Sequence, residues 1–295
     1  MTPTFRKLLN CIGSLIAIAG ITFVLLKLNN YKEQIDWTIL SSSVWLKIIL
    51  YSALYGGANI LLALAWRFLS RHFGANLSIT QAVSIYGITQ LAKYVPGNIF
   101  HFAGRQAMSM AAGLPGWAIA KSALWELAIL SLAGTTFFIL AAPLFVDAIS
   151  TGTSIFLYLS VLGVILLFSK LFNKTKIAIA FLLYSIFLAV SGYIFLACIQ
   201  FTYHALHPSL SVSISIISAF IIAWLAGLIT PGSPAGIGIR ELVVVFLLKS
   251  LVPESDLLIA VISSRIVTIF GDLLFFLYAG FLYLIYPTKA HTKSV

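Results

Sequence analysis

The chain has 295 residues, 61% of them hydrophobic and only 9% charged, with a mean hydropathy of +1.05. A soluble domain carries about 25% charged residues, so this composition cannot cover a water-facing surface and specifies a polytopic membrane protein. The net charge of +10 does not indicate a nucleic-acid module, because the basic residues are spread along the chain and form no soluble patch.

Arg6 and Lys7 precede an apolar run over 8–28. The run exceeds a signal-peptide core, and Ala17 and Ala19 lie at its middle, so it predicts an uncleaved spanning helix. The amphipathic stretch YKEQIDWTILSSS follows and predicts an interfacial segment. Further runs near the roughly 20 residues of a span lie at 44–66, 116–140, 153–170, 177–201 and 257–286. Cys11 and Cys198 both fall inside apolar runs and read as small buried hydrophobes. They form no disulfide framework and no metal-ligand spacing, so neither a metal nor a cofactor is expected.

Two stretches interrupt this pattern. The first, about 77–112, contains LAKYVPGNIFHFAGR; the second, about 211–251, contains LITPGSPAGIGIRE. Their breaks are Pro96 and Gly97, then Pro231, Gly232, Pro234, Gly236 and Gly238. Proline removes an amide donor and stops a helix, and glycine tolerates a sharp turn. Broken backbone at membrane depth persists only when buried in protein or lining a cavity. Both stretches therefore predict re-entrant hairpins. The competing count treats each as two short spans, giving up to ten crossings.

Charge orients the chain. With the N-terminus inside, the inner segments hold Arg6, Lys7, Arg67, Arg71, Lys170, Lys174, Lys176, Lys289 and Lys293. The outer segments hold Lys27 and Lys32, with Lys47 near a helix start, and the acids Glu33, Asp36, Asp147, Glu254 and Asp256. This is the positive-inside pattern, and it predicts a cytoplasmic-membrane protein with both termini cytoplasmic. The longest polar stretch is a short loop or tail, so function is expected of the membrane region itself, read as one transmembrane domain over 1–295.

The two breaks echo each other. Arg105 follows Pro96 by nine residues, and Arg240 follows Pro231 by nine, an offset of 135. Pro115 and Pro253 then precede long apolar runs that carry charge. Three predicted spans separate the hairpins, so the hairpins enter from opposite sides. That is the order of an inverted repeat with halves at about 44–140 and 177–286, as in transporters with midplane sites. Coincidence of two Pro-Gly pairs is the alternative.

Lys93, Arg105, Arg240, Glu241 and Lys249 flank the breaks, while Glu126, Arg265 and Asp272 lie inside predicted spans. A charge at the bilayer centre costs about 2.5–3.5 kcal/mol on insertion scales. Arg265 and Asp272 are seven residues apart, two helical turns, and share a face. His101 stands four residues before Arg105. Each of these can instead be a snorkelling side chain or a structural pair. Together, five basic and three acidic residues make a positive interior that suits an anion such as phosphate, which arginine binds bidentately. Helix starts after the glycine-rich turns add oriented amides. The stretch GSPAGIG lacks the nucleotide phosphate-loop pattern.

Three segments resemble a known family. Pro234-Ala235-Gly236-Ile237-Gly238-Ile239-Arg240-Glu241 resembles the P-G-G-[IL]-G-V-x-E signature of the flippase-like transmembrane region of lysylphosphatidylglycerol synthases. Tyr94-Val95-Pro96-Gly97 followed by Arg105 resembles that family's Y-[IVL]-P-G…R element, and Arg265-Ile266-Val267-Thr268 its R-[IVL]-x-[TS] helix. The likeness runs through nearly the whole chain. Ala235 departs from the second glycine, Pro231-Gly232-Ser233 adds an earlier break, and the soluble aminoacyl-transferase domain is absent. The resemblance therefore implies lipid translocation without lipid aminoacylation.

Three functions remain open on these grounds. The first is translocation of an anionic lipid, a phospholipid or a polyprenyl-phosphate-linked intermediate. Lys93, Arg105, Arg240 and Arg265 would bind its phosphate, while Glu126, Glu241, Asp272 and His101 would pair or gate. The second is secondary transport of a soluble anion through the same cavity. The third is an intramembrane transferase with His101 or Glu126 as base, for which no nucleophile–base constellation is legible. The expected partners are membrane lipids and the anionic lipid substrate, not nucleic acid, and no enzymatic activity is expected.

Overall fold

The computed structural model describes residues 42–94, 99–146, 148–203, 208–230, 236 and 238–286. Over these residues every regular element is helical. The helices are α1 (Ser42–His72), α2 (Ile79–Gln90), α3 (Phe100–Ala111), α4 (Gly116–Ala141), α5 (Thr151–Leu171), α6 (Thr175–Thr202), α7 (Leu210–Ile229), α8 (Ile239–Leu248) and α9 (Glu254–Ile285). A 3-10 turn, Leu91–Tyr94, follows α2, and another, Ala142–Leu144, extends α4. Six helices, α1, α4, α5, α6, α7 and α9, are long and apolar enough to cross a membrane. The protein is an all-α polytopic membrane protein.

Local chemistry sets the boundaries. Ser78 opens α2 with a capping box: the Gln81 amide donates to Ser78 Oγ at 3.1 Å, and the Ser78 amide to Gln81 Oε1 at 3.0 Å. Ser150 and Ser209 cap α5 and α7 through their hydroxyls. Pro115 and Pro253 stand just before α4 and α9, where a missing amide costs nothing.

The predicted spans at 44–66, 116–140, 153–170, 177–201 and 257–286 coincide with α1, α4, α5, α6 and α9. The predicted helix at 8–28 and the interfacial stretch after it lie outside the described residues. The limbs of the second broken stretch differ in length. Its first limb, α7, has 20 residues and a mean hydropathy of 2.4, so it is itself long enough to span. No proline, glycine pair or charged residue interrupts the run between the Ser209 cap and Thr230. The first hairpin differs: α2 and α3 have 12 residues each, about 18 Å, short of the roughly 30 Å hydrocarbon core.

The helices fall into two series in the same order, α1–α4 and α6–α9, with α5 between them. Within each series neighbours pack in turn: α1 on α2, α2 on α3, α3 on α4, and likewise α6 on α7, α7 on α8, α8 on α9. Contacts between the series correspond as well. Helix α9 packs on α1 and α2, as α4 packs on α6 and α7, and α1 meets α6 at the centre. Helix α5 sits outside, touching α4 and α6, and exposes Phe156, Leu159, Val164, Leu167 and Phe168. Such a face is stable against lipid tails and not against water.

Helix α9 can lie close to α1 because both carry glycine at the crossing. A Cβ on Gly271 would stand 2.8 Å from the Ser52 carbonyl, and one on Gly56 would stand 2.9 Å from the Gly271 carbonyl. Small residues at such crossings let backbones approach in a membrane, where no hydrophobic force drives helices together. This crossing places Asp272, the next residue, against α1.

Candidate functional site

Among the described residues, three ion pairs join these helices, that of Arg105 and Glu126 buried and the other two partly so. In the first series, Arg105 of α3 donates from Nη1 to Glu126 Oε2 of α4. Tyr86 of α2 donates to the other oxygen, Oε1, at 2.8 Å. The guanidinium lies 3.9 Å from the Tyr86 ring centroid and 5.2 Å from that of Trp66 on α1. The two rings lie 6.1 Å apart, tilted by 57°. Arg105 is thus boxed by aromatics, which compensate a desolvated cation through their π faces.

In the second series, Glu241 of α8 pairs with Arg265 of α9, Oε1 to Nε at 2.5 Å. The other oxygen, Oε2, accepts from the Gly238 amide at 2.6 Å. Gly238 precedes α8 with φ of 89°, a left-handed conformation that glycine adopts without Cβ strain. Gly236, with φ of 71°, packs backbone to backbone against Gly227 of α7, and its carbonyl accepts from Arg265 Nη2 at 3.3 Å. The two glycines and Arg265 together aim the start of α8.

The two sites share a plan with the signs exchanged. An ion pair joins the short helix to the last long helix in each: Arg105 to Glu126 in one, Glu241 to Arg265 in the other. Each short helix also lays an arginine over an aromatic ring of the preceding helix. Arg240 lies 4.4 Å from the Phe220 centroid, and Phe220 stacks on Phe195 of α6 at 4.6 Å. Tyr86 and Trp66 occupy the corresponding helices, α2 and α1. Glu126 and Arg265 stand about 15 Å along α4 and α9, near half the thickness of a hydrocarbon core.

The third cluster surrounds Asp272 of α9, which is fully buried. Oδ1 accepts from Asn59 Nδ2 of α1 at 3.0 Å and from Gln90 Nε2 of α2 at 3.3 Å. Oδ2 accepts from Tyr94 Oη at 2.5 Å and pairs with Lys93 Nζ at 2.7 Å. One carboxylate thereby ties α9 to α1, to α2 and to the turn that leads into the first break.

Charge balance singles out one residue. Arg105, Arg265 and Lys93 each have a carboxylate partner. Arg240, only 7% exposed, has neither an ion pair nor a side-chain hydrogen bond among the described residues. It lines a small cleft with Phe195, Phe220, Glu241, Ser264 and Arg265. The cleft has room for little more than a water molecule.

Two expectations change here. Lys249 is exposed at the end of α8 beside Phe246 and does not belong to the interior; its long stem lets the ammonium reach solvent or headgroups. The interior is therefore less positive than the sequence implies. His101 is packed against Phe102, with its Nδ1 buried and without a hydrogen-bond partner, and no carboxylate pairs with it among the described residues. Of the break residues, Gly236 and Gly238 are placed as above; Pro96, Gly97, Pro231, Gly232 and Pro234 lie outside the described residues.

Sequence reasoning missed the neutral partners. Asn59 and Gln90 are isolated amides in apolar helices, a signal that was present and could have been read as a carboxylate's partners. Trp66, Tyr86 and Phe220 carry no such signal, because aromatic residues fill most of these helices. Compared with protein-family models and with curated proteins, the chain matches none.

Proposed function

We propose that this protein moves an anionic lipid, a phospholipid or a polyprenyl-phosphate-linked intermediate, between the leaflets of the cytoplasmic membrane. The headgroup crosses near the two short helices while its chains stay in the bilayer. The observation that carries this reading is Arg240, a buried cation with no acidic partner among the described residues, facing a cleft. An unpaired buried charge is costly, and a bound anion repays it. The matched order of α1–α4 and α6–α9 supports an inverted repeat, the arrangement that brings discontinuous helices to a midplane site. The likeness of PAGIGIRE and YVPG to the flippase-like region of lysylphosphatidylglycerol synthases supports a lipid as the cargo. This chain has no nucleotide-binding motif, so a gradient or consumption of the translocated lipid drives the cycle.

The test is inter-leaflet exchange in reconstituted vesicles. Protein-containing vesicles expose a labelled anionic lipid from the inner leaflet faster than protein-free vesicles do, and zwitterionic lipid no faster. Unchanged exchange across a panel of phosphatidylglycerol, phosphatidic acid and polyprenyl phosphate overturns the reading.

A further inference from the structure

Resting on that reading, the two sites differ in a way their shared plan does not require. Arg105 and Arg240 correspond at an offset of 135 residues. Each has a glutamate near it, Glu126 for Arg105 and the adjacent Glu241 for Arg240. Glu126 binds its arginine. Glu241 does not: Arg265 holds Oε1 at 2.5 Å and the Gly238 amide holds Oε2 at 2.6 Å. Both oxygens are thus engaged elsewhere and neither pairs with Arg240, although Arg240 and Glu241 line the same cleft. In the first series the partner on the long helix is an acid. In the second it is a base, and that one exchange of sign decides which arginine is available.

We propose that Arg240 is the protein's anion-binding residue, that Arg265 is a positioning residue which keeps it vacant by holding Glu241, and that the site takes a group with a single negative charge. Arg105, by contrast, is internally neutralised and structural. The charge class follows from the count. Lys93, Arg105, Arg240 and Arg265 face Asp272, Glu126 and Glu241, so one positive charge remains after pairing. A phosphodiester brings that cluster to neutrality; a dianionic phosphomonoester leaves a buried excess of negative charge, which is disfavoured. Apart from the charged residues and Ser264, the lining is apolar, Phe195, Phe220, Val244 and Val261, and apolar side chains do not solvate a second charge. Because the cleft admits little more than a water, α8 moves from α7 or α9 when the ligand enters.

The experiment titrates short-chain phosphatidylglycerol, short-chain phosphatidic acid and inorganic phosphate into the full-length protein in phosphatidylcholine nanodiscs. Phosphatidylglycerol binds the native protein more tightly than phosphatidic acid above the second ionisation of the latter. Arg240→Gln and Arg265→Gln each weaken it about ten- to a hundred-fold, the range of a charge-assisted hydrogen bond. Glu241→Gln/Arg265→Gln restores binding to near the native value, because Arg240 again lacks an internal acid. A merely structural role for Arg265 gives no such rescue, so a double variant that binds as poorly as Arg240→Gln overturns the assignment. Stronger binding of dianionic phosphatidic acid overturns the charge class. Inorganic phosphate binding with the same variant pattern and the affinity of the lipid keeps the site but assigns it to a soluble anion. The two readings fail separately: the predicted binding pattern without inter-leaflet exchange removes transport and leaves the site, whereas exchange unaffected by Arg240→Gln removes the site.

Discussion

Glu241 and Arg265 meet across the α8–α9 junction at 2.5 Å, in the place where Arg105 and Glu126 meet across α3 and α4 with the charges reversed. The same architectural position thus carries an acid on the short helix in one series and a base in the other. This reversal leaves Arg240 without an acid among the described residues.

The Arg105–Glu126 pair is fully enclosed, with Arg105 1% and Glu126 3% exposed. Removing one partner of a buried pair leaves an uncompensated charge and costs about 3–5 kcal/mol. Glu126→Gln is therefore expected to lower the unfolding midpoint in detergent strongly. Arg105→Met/Glu126→Gln should lower it less than the sum of the two single changes. A double-mutant cycle followed by thermal unfolding measures this; additive losses contradict the structural role of the pair.

Asp272 accepts from four groups, of which three are neutral. Lys93→Met leaves Asn59, Gln90 and Tyr94 in place, whereas Asp272→Asn strands Lys93 and disturbs every partner. Asp272→Asn is expected to destabilise the fold by more than Lys93→Met does, by about 1–3 kcal/mol. Chemical unfolding of both variants in the same micelle checks the order, and equal losses contradict it.

Helix α9 approaches α1 at Gly56 and Gly271, where an added Cβ meets backbone at 2.8–2.9 Å. Gly271→Ala is expected to separate the helices, weaken the Asn59–Asp272 hydrogen bond and lower thermal stability. Gly163 on α5 and Gly280 on α9 have open space where a Cβ would go. Alanine at either is expected to be neutral or to stabilise by about 0.5–1 kcal/mol through helix propensity. Equal responses at Gly271 and Gly163 contradict the packing argument.

The proposed orientation places the turn between α5 and α6 in the cytoplasm and the start of α9 outside. A cysteine at Lys174 is expected to react with a membrane-impermeant thiol reagent only from the cytoplasmic face, and one at Asp256 only from the opposite face. Labelling of both from one side contradicts the orientation.

Much of this fold was legible because spanning helices are written in runs of apolar residues, and α1, α4, α5, α6 and α9 fall where such runs stand. The length of α7 was obscured by the breaks at its C-terminal end, which drew its apolar run into a presumed hairpin limb. Charges in apolar runs disclosed Arg105, Glu126, Arg240, Glu241, Arg265 and Asp272, because burying them demands a reason. Their pairing was not legible. It depends on which helices touch, and no local spacing tells that Arg265 reaches Glu241 rather than Asp272, two turns away on its own face. Lys249 was misplaced inside because its helix ends there, and sequence alone does not locate that end relative to the membrane surface.

The most direct test of the account compares inter-leaflet exchange of a labelled phosphodiester lipid by the native protein, Arg240→Gln and Lys249→Gln in identical vesicles. The account predicts that Arg240→Gln falls to the protein-free rate while Lys249→Gln keeps the native rate. Native-rate exchange by Arg240→Gln would contradict it.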